Sequence, residues 1–498
     1  MSEYLTPEEL ERLEPAAGMF PSPVPTQLVS NGEFMPAGQT AQQKEVEARI
    51  KAAAETLARR HGMRRRHFLA SAAGMAAAFA AMNAVYGPLF EADPAEAAVP
   101  DAAKARADAL SGQFIVDLHT HFIRDDAGPG LESFAQLRER TRRTGENPEL
   151  PDRPATLNDL HLGTYLREMW LDSDTKIAAL SGAPSDIKKD WLLPNDAIAD
   201  ARERINRFAG SRRLLSHFIF TPGQPGWLDD IDRGIETLKP DAWKGYTIGD
   251  NTHKDICRYP WRMDDEKLAY RAYEKFVKAG IRNVAIHKGL YTQSDAQKYP
   301  RLEEYARVDD VAKAAKDWPQ LNFLIYHAAY RYTGVGEPRI ALAEFENTGR
   351  MEWVSDLADI PGLHGVSNVY ADIGASFAAC CVTEPNTAAA MLGILVRGMG
   401  HDHVIWGTDS IWFGSPQWQI EALRRLEIPE DMQKKHGFAP LGPADGDVKT
   451  AILGQNGARV QNLETVRHAD LMDEHKAAYA AAGYRRSNRA YGYIRRAG

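Results

Sequence analysis

Two histidines one residue apart, His119 and His121, stand in the stretch FIVDLHTHFIRDD (residues 114–126), directly behind a short apolar run. Alternate side chains of an extended strand face the same side, so both imidazoles point one way. Neutral imidazole nitrogens held ~2.0–2.1 Å from a divalent ion are what zinc coordination asks for, and a carboxylate can complete the set. Residues of the matching types recur downstream: His287 closes VAIH, His327 follows FLIY, Asp409 follows IWGT, and Lys244 lies within AWKGYTI. A lone HxH is a weak signal. An HxH joined by two further histidines and an aspartate, each at the end of an apolar run, points to a metal site.

The elements that must position these residues are legible as alternation. Short apolar or β-branched runs appear at 114–118, 175–180, 214–220, 242–248, 283–287, 321–326, 367–373 and 403–408, with helical patterns such as AIADARERINRFA and DDEKLAYRAYEKFVKAG between them. That order is the signature of parallel βα units. Eight such runs predict a (β/α)8 TIM barrel, whose chemistry gathers at the C-terminal ends of its strands. An open doubly wound sheet is the second reading, but no GxGxxG follows the first run. On the barrel reading, His401-Asp402-His403 precedes the eighth strand and belongs to the opposite face, as a structural pair. His217, inside the third run, reads as a satisfied core histidine, and His161, His253, His364 and His436 gain nothing from spacing. Trp406, Trp412, Phe413 and Trp418 cluster near Asp409, and Tyr326, Tyr330 and Tyr332 near His327. Such residues suit either an aromatic substrate or an ordinary core. Arg124, Asp125 and Asp126 read as a solvated loop.

Composition bounds the rest. The 498 residues are 44% hydrophobic and 26% charged with a net charge of −8, an ordinary globular balance. No basic block speaks for nucleic acid as a partner. Three cysteines, Cys257, Cys380 and Cys381, form neither a disulfide framework nor a zinc ribbon. Residues 1–62 read as an N-terminal extension, loosely ordered over its Pro/Gly/Ser/Thr-rich part, with one amphipathic helix over 44–61 carrying Val46, Ile50, Ala54 and Leu57. Residues 63–98 contain RRRHFLASAAGMAAAFAAMNAVYG and Ala95-Glu96-Ala97, which resemble a twin-arginine export signal with a cleavage site. The bland reading is an alanine-rich helix packed on the main domain, so periplasmic and cytoplasmic locations both stand. The alanine-rich stretch is too interrupted to span a membrane. The barrel is expected over 99–463 and a helical tail over 464–498, whose mixed Arg and Tyr suit a subunit contact better than nucleic acid.

The motifs DLHTH, AIH, IYH and WGTDS, in this order, resemble the amidohydrolase superfamily, most nearly the amidohydrolase-related group that includes aminocarboxymuconate-semialdehyde decarboxylase. LGQNGARVQNL (453–463) is similar to that group's closing helix. The resemblance covers about residues 114–463. It implies that His119, His121, His287 and Asp409 ligate a divalent metal, commonly zinc, and that His327 acts as a base or stabilises developing charge. It also implies a homo-oligomer. Ala328 and Ala329 depart from it, standing where relatives often carry glycine. A divalent ion lowers the pKa of its water toward ~7, so the first expected activity is hydrolysis of an amide, lactone or ester. Asp409 would then take the water's proton. Non-oxidative decarboxylation of an aromatic or unsaturated acid is the alternative. A catalytically silent barrel serving as a binding or assembly module is the third reading. One metal is the simpler count. A carbamylated Lys244 would allow two, with His287 and His327 holding the second.

Overall fold

In the computed structural model, which describes residues 9, 12–124, 161–334, 336–465 and 468–495, eight parallel strands follow one another around a single sheet. They are β1 Val116–Thr120, β2 Ile177–Leu180, β3 Leu214–Ile219, β4 Ala242–Tyr246, β5 Asn283–His287, β6 Asn322–Tyr326, β7 Val369–Asp372 and β8 Val404–Ile405. The sheet closes on itself. Thr120 bridges Ser410 in parallel, and the Leu118 and Asp409 amides donate to Trp406 O and His119 O at 3.0 and 2.8 Å. Closure removes the open-sheet alternative. Asp125 and Asp126 lie outside the described residues.

The strand period decides what faces the axis. Trp243 stacks on Phe276 of the helix Ala269–Ala279, with ring centroids 4.5 Å apart, so its neighbour Lys244 must turn inward. Register then aligns Lys244 with Ala285 and Tyr246 with His287. Val116, Leu118, Ile177, Ala179, Leu215, Ala285, Leu324 and Ile405 form one buried cluster with Ala458 and Val460. The last two belong to the helix Asn456–Val460, within the stretch expected to close the barrel. Asn456 Nδ2 anchors it to the carbonyls of His401 and Val404, both at 2.8 Å. In β1 the register shifts between Asp117 and Thr120, an irregularity of the kind that re-aims side chains at a barrel rim.

The N-terminal extension forms the amphipathic helix expected over 44–61. Helix α1, Ala41–Arg60, is capped by a reciprocal Thr40/Gln43 box and buries Gln43, Val46, Ile50, Ala54 and Ala58, a 3.6-residue stripe. The twin-arginine-like segment forms α2, Arg65–Leu69, and α3, Ala72–Tyr86. Its alanines make α3 thin enough to be buried on nearly every side from Ala73 to Met82. Phe79 is fully buried against Phe90. Glu96 then forms a buried two-pronged pair with Arg425. Among the described residues no helix is long and apolar enough to cross a membrane.

The C-terminal tail folds back on its own chain. After the helix Leu471–Ala481, the strand Tyr493–Arg495 pairs antiparallel with Leu13–Pro15. Tyr491 OH donates to Glu168 at 2.6 Å, so Tyr491 and Tyr493 pack within the chain while Tyr484 stays exposed.

Candidate metal centre

The C-terminal rim of the barrel gathers His119 from β1, His121 just after it, His287 from β5, His327 just after β6 and Asp409 after β8. All five are at most 4% exposed. Three of the imidazoles are locked by what their Nδ1 atoms meet: Asp372 Oδ1 at 2.9 Å for His119, Ser181 O at 2.7 Å for His121 and Gly374 O at 2.9 Å for His327. Carbonyl oxygens only accept, so Nδ1 of His121 and His327 carries the hydrogen and Nε2 keeps a lone pair. The Asp372–His119 pair is the carboxylate–histidine arrangement that orients metal ligands.

The Nε2 atoms converge. His119 Nε2 lies 3.4 Å and His121 Nε2 3.3 Å from Asp409 Oδ1. His287 Nε2 lies 3.3 Å from a second carboxylate, Glu33 Oε1. These gaps are long for hydrogen bonds. They match the roughly 3.4 Å that separates two ligands on a tetrahedral ion with ~2.1 Å bonds. Two groups, Glu33/His287/His327 and His119/His327/Asp409, each bring their ligand atoms within 4.8 Å of one another. His327 belongs to both, and its Nε2 has no hydrogen-bond partner. A buried polar atom without a partner is costly, and a cation removes that cost.

Electrostatics point the same way. Burial pushes all four imidazoles down, His121 to about 4, with neighbouring positive groups adding to the effect, so they are neutral at pH 7. Burial, reinforced by the Glu33 charge, pushes Asp409 well above the usual carboxylate range. Burial likewise raises Asp372 to about 8 and Asp117 to about 7. Asp117 takes the Thr408 hydroxyl and the backbone N–H groups of Thr408 and His119, tying β1 to the segment that carries Asp409. Lys244, fully buried, rests on the Tyr326 ring with Nζ 3.3 Å from its centroid. Tyr326 in turn stacks on His119 at 3.7 Å. Lys244 Nζ has no hydrogen-bond partner, and burial lowers its pKa strongly.

The site is under backbone strain. Asp409 and the run His327, Ala328, Ala329 have φ of 56°, 62°, 49° and 56°, the left-handed region that costs an L residue about 1–2 kcal/mol. Glycine at 328 or 329 would relieve this, which gives the departure noted in the sequence a physical meaning.

Other histidines go elsewhere. His217 is held by Tyr326 OH at 3.1 Å and Gln461 Nε2 at 3.0 Å, His253 pairs with Asp190, and His403, at the strand-entry end of β8, meets Ser367 O. Of the aromatic residues singled out, Trp412 lines the small cavity over the site, joined by Tyr246. Trp406, Phe413 and Trp418 are buried core residues. That cavity measures about 20 Å³ for a water-sized sphere, room for about one water or ion.

Four participants were not anticipated. Asp372 ends β7 and obeys the same strand-end rule as the others. Asn31, Glu33 and Asn251 come from turns. Asn31 Nδ2 donates to Asp409 Oδ2 at 3.0 Å and Glu33 Oε2 at 3.1 Å, and Asn251 donates to Glu33 Oε1. The local geometry is dictated by SNGEF. Gly32 adopts φ 100°, Asn31 Oδ1 accepts from the Glu33 amide at 3.0 Å, and Ser30 bridges Tyr493. The Asn-Gly pair was a visible turn signal, and nothing local said that the turn would enter a barrel mouth.

The fold and the rim thus define a closed parallel barrel with an imidazole–carboxylate centre suited to a divalent cation. No family model and no curated protein matches the chain. Among solved structures it is similar to a Tim-barrel protein from Bordetella bronchiseptica (14% identity, 70% of this chain and 98% of that one, TM-score 0.43). It is also similar to 5-carboxyvanillate decarboxylase from Sphingomonas paucimobilis (14%, 71% and 100%, 0.38). A third is a probable 2-pyrone-4,6-dicarboxylic acid hydrolase from Acinetobacter baumannii (14%, 70% and 99%, 0.36). At this identity no residue's role passes from them to this chain.

Proposed function

We propose that the protein is a metal-dependent hydrolase acting on a neutral carbonyl compound, an amide or a lactone or ester. The observation that carries this is the convergence of neutral imidazole Nε2 atoms on Asp409 at ligand–ligand spacing. His119, His121, His287 and Asp409 would hold one divalent ion, zinc being the ion such donors suit. When bound, that ion lowers the pKa of water toward ~7 and polarises a carbonyl. Asp409 accepts the proton of the attacking water and passes it to the leaving group. Asn31 Nδ2, on Oδ2, leaves Oδ1 as the atom facing the imidazoles. His327 keeps its lone pair at Nε2, which makes it a proton acceptor and not a donor toward an oxyanion. Tyr246 and Trp412 wall the cavity with flat apolar surface.

Charge favours hydrolysis over decarboxylation. Glu33 and Asp409 both line the cavity, and among the described residues lining it none is Arg or Lys. A substrate carboxylate would find no side-chain cation on these walls to pair with, and two acidic side chains in its place. A second reading, two ions bridged by a carbamylated Lys244, is favoured by its buried, unpartnered Nζ. An amine kept neutral by burial is the form that reacts with CO2.

The test is metal content per chain in protein purified without added metal, with Asp409→Ala alongside, followed by a screen of amides, lactones and aromatic carboxylates. About one ion per chain, lost in the variant, with turnover of a neutral substrate, is expected. Folded protein that takes up no divalent ion, even when supplied, refutes the reading and leaves the binding module. Turnover of carboxylates alone refutes hydrolysis.

A further inference from the structure

We infer that Glu33, carried by the N-terminal turn Ser30–Phe34, is itself a metal ligand, so that metal binding and docking of this segment on the barrel are one event. The inference rests on the metal reading above and extends it to a part of the chain outside the barrel. Glu33 Oε1 stands 3.3 Å from His287 Nε2, the same spacing that Asp409 keeps from His121. Its ligand atom, with those of His287 and His327, falls within one 4.8 Å group. His327 Nε2, buried and without a hydrogen-bond partner, belongs to that group.

The surroundings hold the carboxylate in place and leave it one direction in which to act. Asn251 and Asn31 donate to its two oxygens, and amide donors orient a carboxylate without neutralising it. Asn31 spans Glu33 and Asp409 with a single Nδ2, holding two acidic side chains side by side in a buried place. Two acidic side chains so held call for a cation between them or a proton on one of them.

The turn is tied mechanically to the C-terminal tail. The Ser30 amide donates to Tyr493 O at 2.8 Å and the Tyr493 amide to Ser30 O at 2.9 Å. Release of Glu33 would therefore loosen the tail as well. Glu33 also forms the wall between the small cavity over the site and a larger one of about 340 Å³, lined on its far side by Arg12, Thr292 and Lys298. A displaceable plug would share that position, and the two differ in what the metal feels.

The experiment uses the full-length chain as wild type, Glu33→Gln and Glu33→Asp. Zn²⁺ affinity is measured by chelator competition, and cleavage within residues 12–40 by a broad protease with and without Zn²⁺. The Gln variant keeps the shape and an acceptor for Asn251 and removes the charge. It should bind Zn²⁺ at least about tenfold more weakly. Zn²⁺ should protect the segment in the wild type and not in this variant. If the Gln variant does not fold, the Asp variant is read in its place, with an intermediate loss expected. Wild-type affinity retained within about twofold, or cleavage indifferent to Zn²⁺, overturns the inference and leaves a plug. A wild type that binds no metal overturns the metal reading itself and the inference with it.

Discussion

Gly407, in the WGTDS segment, has no room for a single extra carbon. A Cβ built there would lie 2.2 Å from Asp372 Oδ2 and 2.7 Å from His119 Cβ, the first about 1.3 Å short of ordinary ~3.5 Å contact. Asp372 cannot simply step aside. Its Oδ1 accepts from the Gly374 amide at 3.0 Å and faces His119 Nδ1 at 2.9 Å. Gly374 blocks the other side, where a Cβ would approach His119 Nδ1 to 2.5 Å. Gly407→Ala must therefore push β8 outward or break the Asp372–His119 contact. Overpacking costs about 1–3 kcal/mol, and a buried polar group left without its partner about 1–3 kcal/mol more. Displacing the group that orients a ligand histidine should weaken metal binding about 10–100-fold. Thermal unfolding of the metal-free protein and Zn²⁺ competition read the two effects separately. A variant with unchanged melting temperature and Zn²⁺ affinity would show that the rim relaxes freely, and the close-packed view of His119 would be wrong.

Two further outcomes follow from the site and the extension. Asp409 is held protonated well above the usual carboxylate range, so metal must displace its proton. Zn²⁺ affinity should fall about tenfold per pH unit as pH drops below that raised pKa. In Asp409→Asn the weaker affinity should vary far less over the same range, because burial holds the ligand imidazoles below their usual pKa; a wild-type profile independent of pH would contradict this. Cleavage after Ala97 would remove Asn31 and Glu33, the buried helix Ala72–Tyr86 and the Glu96 partner of Arg425. Loss of one partner of a buried ion pair alone costs about 3–5 kcal/mol. A chain beginning at Ala98 should thus be insoluble, and the protein's N-terminus, read by sequencing, should precede residue 31. Soluble, metal-binding protein beginning at Ala98 would favour the export-signal reading.

What the sequence by itself determined is what depends on local pattern. Short apolar or β-branched runs between helical patterns marked all eight strands, because the strands of a parallel barrel are buried on both faces. Strand-end position then marked His119, His121, His287, His327 and Asp409, since side chains there cannot avoid the barrel mouth. Asp372 lay within reach of the same rule. Among the described residues, much of the Pro/Gly/Ser-rich stretch from Ser22 to Phe34 is buried, because such residues reduce regular structure without preventing burial. Only the tertiary structure could decide that SNGEF descends onto the rim. The contacts that hold it there, Asn31 to Asp409 and Glu33 to His287, join residues more than 250 positions apart. No local pattern encodes such a meeting; it comes from chain closure, from the packing of α3 and from the need of two buried carboxylates for partners.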